Sequence, residues 1–271
     1  MSTRTTSSRP PEVERPAPPV TERLRAYYTT YYRDALGIPG WRELVDVRLA
    51  DDVYEDARVD RLSSALEHTL VGQRLLNVGC GTGGFNVAAQ NAGADAWGVD
   101  ADAEAVAIAS ARLEGRALRG AAESLPFRDE SFDIVYCYST LEHVRDAPAA
   151  VAEMVRVLRP GGALYLHAPS RWACVEGHYK VFWIPGLPRW AGRAYLAGRG
   201  RPTAFLETLR PVTLAECRGW LMRAGAHIAR VLTGGVDRRV GGALWPLVRF
   251  YYRVSGVRPY VEIVAIRGDR T

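Results

Sequence analysis

From Arg74 onward the chain alternates between short apolar runs and segments whose apolar residues recur every three to four positions. Arg74–Val78 and Ala94–Val99 read as strands, and helices are predicted at about Phe85–Ala92 and Glu104–Leu113. The unit then repeats. Strands are predicted at Ala117–Arg119 and Phe132–Cys137, followed by a helix at about Pro148–Leu158, stopped by Pro160-Gly161-Gly162, and a strand at Ala163–His167. Such alternation means an α/β doubly wound fold, a parallel sheet with helices on both faces, because each helix carries the chain back to the starting edge. Upstream, Leu24, Tyr27, Tyr28, Tyr31 and Tyr32, then Val59, Leu62, Leu66 and Leu70, keep helical spacing. After Pro169 about forty residues rich in Trp, Pro, Gly and Arg interrupt the rhythm. Thr213 then caps a helix to Ala224, closed by Gly225, before a strand at Ala226–Leu232. A second insertion, about Thr233–Arg258, precedes a last strand at Tyr260–Ile266.

Residues 1–20 carry prolines and small polar residues without apolar periodicity and are expected to be a disordered tail. The remainder, 21–271, reads as one domain. Its parts are lid helices at 21–70, a cofactor-binding core at 71–168, an acceptor-pocket insertion at 169–210, and a C-terminal helix and strands at 211–271. The four cysteines, Cys80, Cys137, Cys174 and Cys217, lie far apart, and no His spacing reads as a zinc site, so a reduced cytoplasmic protein without a metal is expected. No apolar run has the length of a membrane span, and no signal peptide opens the chain.

Gly79-Cys80-Gly81-Thr82-Gly83-Gly84 follows the first strand and opens a helix. Glycines there let the backbone turn sharply and approach a ligand at a helix N-terminus. The loop satisfies G-x-G-x-G and the dinucleotide pattern G-x-G-x-x-G at once, so alone it fits either of two cofactors. Asp100 ends the second strand, where a carboxylate can accept both hydroxyls of a ribose.

Downstream, Ala121-Ala122-Glu123-Ser124-Leu125-Pro126-Phe127 runs into Ser131-Phe132-Asp133, then Leu141-Glu142-His143 and Arg159-Pro160-Gly161-Gly162. In this order the segments resemble the class I methyltransferases that use S-adenosylmethionine, and the likeness covers about residues 72–168. It implies a Rossmann-like, mostly parallel seven-stranded sheet with an antiparallel last strand. It also implies that Gly79, Cys80, Gly81, Thr82 and Gly83 lie against the methionine part of S-adenosylmethionine and that Asp100 holds the ribose. Ala101 would flank the adenine, Ala122 and Glu123 would face its edge, and Tyr138, Ser139 and His143 would border the donor. Asn77 stands where the family often has a carboxylate toward the donor's ammonium, and Ala121 where an Asp often meets the adenine amine; both contacts are expected to be weaker or made otherwise.

Two histidines are candidate general bases: His143, and His178 within the insertion, where such enzymes build their acceptor pocket. His68, His167 and His227 fall inside elements and read as structural. Tyr28, Tyr31, Glu176, Tyr179 and Trp183 are candidate acceptor-binding residues. The leading expectation is O-methylation of a sugar, saccharide or secondary metabolite. Residues 1–170 carry 18 Arg against 24 Asp+Glu and 171–271 carry 17 Lys+Arg against 6, balances of −6 and +11. That asymmetry keeps open an RNA methyltransferase, although no RNA-binding module is appended and nucleic acid is not the expected partner. The departures at Asn77 and Ala121 keep open a donor-binding protein without catalysis. Trp245-Pro246-Leu247-Val248-Arg249-Phe250-Tyr251-Tyr252-Arg253 adds a surface for peripheral contact with a membrane or lipid-linked acceptor.

Overall fold

The fold is described from a computed structural model, which covers residues 19–50, 52–233 and 244–269. The expected tail, apart from Pro19 and Val20, and residues 234–243 of the second insertion lie outside the described residues. Seven strands form the central sheet: β1 (Arg74–Val78), β2 (Asp95–Asp100), β3 (Ala117–Arg119), β4 (Phe132–Tyr138), β5 (Leu158–Pro169), β8 (Ala226–Val231) and β9 (Tyr260–Arg267). Their order is β3-β2-β1-β4-β5-β9-β8, with β1 to β5 parallel and β9 antiparallel to both of its neighbours. The Rossmann-like expectation holds.

Alternate residues of the central strands face opposite layers, and the two faces differ in chemistry. Val135 and Cys137 of β4, Leu164 and Leu166 of β5 and Ile263 and Ala265 of β9 make an aliphatic face. It is closed by α6 (Ala147–Val157) and α8 (Leu214–Arg223), which contribute Met154 and Leu221. The opposite face carries Tyr136, Tyr138, Tyr165, His167 and Glu262, brought side by side by the pairings Tyr136↔Tyr165, Tyr138↔His167 and His167↔Glu262. Phe85 of α4 (Gly84–Asn91) stacks on Tyr136 with ring centroids 3.9 Å apart. Arg61 of α3 (Asp52–Leu66) forms a two-pronged ion pair with the buried Glu262, which also accepts the Tyr165 hydroxyl. Burial alone would raise the Glu262 carboxyl, but these partners outweigh it and hold it below the usual carboxylate range.

α1 (Val20–Thr29), a π-helical turn (Thr30–Ala35) and α2 (Trp41–Ala50) precede α3, so the tyrosine segment is a helix that widens by one turn rather than a uniform α-helix. Leu70 keeps the spacing of α3 but not its helix. Glu67 takes a φ of +61°, which ends α3, and Leu70 is buried in the link to β1. The stop assigned to Pro160-Gly161-Gly162 also moves. α6 ends at Val157 and β5 begins at once, with Arg159–Gly162 bulging between the pairings Phe132↔Leu158 and Ile134↔Ala163. Pro160 has no ladder donor and Gly161 takes a φ of +74°, so these residues bend the strand instead of preceding it.

The 169–210 insertion contains a short hairpin, β6 (Val175–Glu176) and β7 (Val181–Phe182), then α7 (Arg189–Ala197) and a 3-10 turn (Ala204–Thr208). Tyr179, Val181, Leu196 and Leu206 pack with Tyr32, Leu36 and Val45 of the N-terminal segment. The insertion and the lid helices are thus one cap with its own core. Outside the central domain, α9 (Trp245–Ser255) precedes β9.

His167 lies between Tyr138 and Tyr260, with centroids 4.0 and 4.6 Å away, and its Nδ1 has no hydrogen-bond partner. Glu262 and the guanidinium groups of Arg58 and Arg61 face it, and burial pushes its pKa down to about 4. The unfolded chain therefore binds this proton first as pH falls, so the stability contributed by His167 is complete above about pH 6.5 and declines toward pH 4. His167→Phe keeps the stacking and cannot titrate. In urea titrations, the stability of the wild type relative to this variant is expected to fall by up to about 3 kcal/mol between neutral pH and pH 4. A difference that stays constant with pH would contradict this account.

Candidate active site

The sheet order reverses between β1 and β4, so the loops leaving their carboxyl ends diverge and open a crevice. At its base Gly79 and Cys80 donate to the Val99 carbonyl at 2.8 and 3.0 Å. Gly79 has a φ of +77°, and a Cβ there would stand 2.0 Å from Thr140 Oγ1. Gly98 of β2 likewise leaves room for the Cys80 side chain, whose Sγ would lie 2.7 Å from an added Cβ. Gly81 is different: its φ is +53°, yet a Cβ would meet nothing within 4 Å. It borders open space. The Gly81 amide donates to Asp100 Oδ2 at 2.8 Å, and the Asp102 amide donates to Oδ1 at 2.9 Å. Burial pushes the Asp100 carboxyl up and the backbone amides oppose that shift. Asp100 is thereby held by two backbone amides beside the open space at Gly81.

The lid closes this crevice. Tyr28 of α1 and Thr82 share a hydroxyl hydrogen bond of 2.7 Å, and Arg23 pairs with Glu104 of α5 (Ala103–Arg112) at 3.0 Å. Beneath α1 lies a cavity of about 530 Å³, bordered by the glycine loop, by Tyr138 and Ser139 after β4, by His167, and by His143 and His178. Tyr28 and Tyr31 line it too, as do Arg48 and Arg58, which the sequence did not single out. Arg58 lies 4.2 Å over the Tyr138 ring, bonds the Tyr136 hydroxyl at 3.0 Å and pairs with Glu55 at 2.7 Å. Only the Glu55/Arg58 spacing on one helix hinted at that pair; its role depends on the sheet face below it.

The two candidate bases, 35 residues apart in the chain, meet here. Their rings approach edge to face with centroids 5.2 Å apart. His178 Nδ1 is held by Glu176 Oε1 at 2.9 Å, and the other Glu176 oxygen accepts the Tyr179 amide at 2.6 Å. Behind both rings stands Glu142, fully buried, with neither carboxylate oxygen hydrogen-bonded. Its Oε1 is 3.6 Å from His178 Nε2 and 4.0 Å from His143 Nε2. Burial pushes Glu142 up to about 7 and His143 down to about 4. Burial would also lower His178, but Glu176 and Glu142 outweigh it and raise its pKa. Sequence reasoning quoted Glu142 within a motif but assigned it no role, because nothing in the chain says that the residue is buried among imidazoles.

The remaining expected site residues differ in exposure and in the partners they hold. Gly83 is the left-handed N-cap of α4, where an added Cβ would crowd Ala109 rather than a ligand. Ala101 is exposed and its carbonyl accepts Arg119, while Ala122 is packed in the aliphatic core. Glu123 accepts the amides of Arg145 and Asp146, so it anchors the end of the Leu141–Val144 segment. Asn77 donates to Asn86 at 2.7 Å, and this pair tethers β1 to α4 beside the cavity. Of the acceptor candidates, Tyr179 is fully buried in the cap core and cannot touch an acceptor. Glu176 serves His178, and Trp183 faces a second cavity of about 550 Å³, behind the hairpin, with Arg171 and Arg189.

The two glycines make separable predictions. Gly79→Ala combines a left-handed backbone with the Thr140 clash and is expected to destabilise the fold by roughly 2–5 kcal/mol. Gly81→Val adds a Cβ that meets nothing within 4 Å and should cost only about 1–2 kcal/mol, yet weaken binding of S-adenosylhomocysteine (SAH) by about tenfold or more in calorimetry. A Gly81→Val protein that melts near wild type and binds SAH equally well would show that this cradle is not the donor site.

A family model described as a methyltransferase domain matches residues 76–166, the segment from β1 through β5. An uncharacterized methyltransferase of Mycobacterium sp. (strain JLS) is 36% identical over 189 residues, which cover 67% of this chain and 73% of that protein. Among solved structures, a chain of the Haloferax volcanii complex between the Trm112 methyltransferase activator and a methyltransferase aligns with a TM-score of 0.57. The alignment is 17% identical and covers 93% of this chain and 99% of that one. The magnesium protoporphyrin IX methyltransferase of Synechocystis PCC 6803, with bound SAH, aligns with a TM-score of 0.53 at 18% identity, covering 90% and 98%. These likenesses, with the cradle at Gly81 and the carboxylate at Asp100, place the chain in the class I S-adenosylmethionine-dependent methyltransferases.

Proposed function

We propose that the protein methylates a hydroxyl of a small molecule, a sugar, saccharide or secondary metabolite. The observation that carries this reading is the pair His143 and His178 on the wall of the cavity that the glycine loop also borders, with the buried Glu142 behind them. When bound, the donor supplies an electrophilic methyl group on a sulfonium, so the protein's task is to align a weak oxygen nucleophile and accommodate loss of its proton. Alignment can supply roughly 7–11 kcal/mol of the barrier. The cavity suits such an acceptor: the tyrosine rings offer flat apolar faces, and Arg48, Arg58 and the imidazoles offer polar contacts. The Tyr28–Thr82 bond ties the lid to the glycine loop over this cavity.

The charge asymmetry favours an RNA acceptor less than the raw count suggests. Arg171 is paired with Glu216, Arg189 and Arg193 with Glu207, Arg230 with Glu67 and Arg267 with Glu130. These arginines are spent on intramolecular pairs rather than aligned as a phosphate track. In a labelled-donor screen, transfer is expected to hydroxylated small molecules and not to tRNA. With the acceptor so found, His178→Ala should lower kcat by about 10²-fold or more while leaving SAH affinity within about twofold. Transfer to RNA alone, or full turnover of the variant, would overturn the reading.

A second observation bears on how the acceptor is presented. The inner side of α9 is docked on the insertion through Val248, the Tyr251 hydroxyl on the Trp172 carbonyl and the Cys174 amide on the Tyr252 hydroxyl. Its outer side exposes Leu247, Phe250 and Val254, with Arg249 and Arg253 beside them. An apolar ridge flanked by cations suits an anionic bilayer surface, which favours a lipid-linked acceptor. Vesicles of anionic phospholipid are expected to sediment the protein, zwitterionic vesicles not, and Leu247→Glu with Phe250→Glu to release it. Equal recovery in all supernatants would remove this reading.

A further inference from the structure

We propose that Glu142, His143 and His178 form a binding site for one divalent transition-metal cation, and that Glu176 is the residue that orients it from outside. Its catalytic meaning rests on the hydroxyl-methylation reading above; the site itself does not.

Glu142 carries a buried carboxylate that none of the described residues hydrogen-bonds. A carboxylate with no exposed surface and no hydrogen bond to either oxygen is an expensive thing to bury, and folded proteins tolerate it where a proton or a cation balances it. Among the described residues its ion-pair partners are two imidazole nitrogens. One potential ligand atom from each of the three residues lies within 4.8 Å of the others. Metal bonds of about 2.0–2.2 Å in a tetrahedron would set ligand atoms about 3.4 Å apart. The observed 3.6 and 4.0 Å from Glu142 Oε1 are therefore near the required spacing, and rotation of the His143 ring, which is partly exposed, closes the rest.

The second feature is the surroundings of His178. Its Nδ1 faces the Glu176 carboxylate at 2.9 Å, which sets Nε2 toward Glu142 as an acceptor lone pair. Carboxylate–histidine pairs of this kind fix the tautomer and orientation of metal-bound histidines. Glu176 is itself fixed by the Tyr179 amide, and Tyr179 is locked in the cap core. The three groups thus meet only when the cap is seated on the sheet: Glu142 follows β4, His178 belongs to the hairpin, and the Arg210 amide at the end of the insertion donates to the Glu142 carbonyl at 2.7 Å.

Two nitrogens and one oxygen, all on one side, favour a borderline cation such as zinc, iron(II) or cobalt(II) and leave coordination positions open toward the cavity, which both imidazoles line. An acceptor hydroxyl entering such a position would be held as a ligand, and the cation's charge would favour loss of its proton to bulk water.

The test is binding, read without turnover. The full chain, stripped with chelator and dialysed against zinc, is expected to retain one equivalent by elemental analysis, and cobalt(II) should give visible d–d absorption that zinc abolishes. Glu142→Gln and His178→Asn should each weaken affinity by about 100-fold, and Glu176→Gln by about 10–100-fold. Should Glu142→Gln fail to fold, His178→Asn and Glu176→Gln still decide the matter, since neither alters the buried carboxylate of Glu142. No retained zinc and no cobalt spectrum in the wild type, or unchanged affinity in His178→Asn, would overturn the site. Zinc retention without transfer to any hydroxyl acceptor would instead leave the site standing and remove the proposed reaction.

Discussion

The contact between Gly79 and Thr140 is the constraint around which the rest is arranged. The loops that leave β1 and β4 part at the switch point of the sheet, and here they still touch, so closely that a single Cβ on Gly79 would overlap the threonine side chain. Gly98 repeats the device one strand over by admitting Cys80. Because these glycines let the backbones close ranks below, the next one, Gly81, borders a cradle that remains open above, with Asp100 fixed at its side by two amides. Tight packing on one side and space on the other are the same structural fact.

The sheet divides its labour by face. Its aliphatic face, buried under α6 and α8, supplies hydrophobic stabilisation in the ordinary way. Its other face carries a band of tyrosines, His167 and Glu262 across three strands, which is chemically costly to bury and is stabilised by α3 through Arg58 and Arg61. That band ends at Tyr138 and His167 on the cavity wall. The polar interior is therefore continuous with the site, and the helix that satisfies it is one the lid region contributes.

The cap explains why the expected acceptor residues divided. Tyr179 and Trp183 flank the hairpin strand at Val181, yet Tyr179 belongs to the cap core and Trp183 to a cavity on the far side. His178 is turned toward the donor side, with Glu176 holding its Nδ1 and Glu142 beneath its Nε2. The site is assembled from the family's shared core and from this chain's own insertion, so its chemistry is a property of their meeting.

Much was legible beforehand because it is local. The strands at Arg74–Val78 and, to within one residue, Phe132–Cys137, the cap at Thr213, the glycine loop and Asp100 follow from periodicity, propensity and backbone freedom, each decided within a few residues. The ordered motifs from Leu125 to Gly162 were enough to indicate the methyl donor. What the chain could not show are relations between distant segments: Arg58 lying over Tyr138, Glu123 anchoring the loop at Arg145, the bulge at Arg159–Gly162, and the approach of His178 to His143 and Glu142. The sequence by itself determined the fold and its donor, since local pattern selects them. Tertiary structure alone decided which polar residues face the cavity, because burial and partnership are set by packing across tens of residues, and they turn a common glutamate into a buried carboxylate without a hydrogen bond beside two imidazoles.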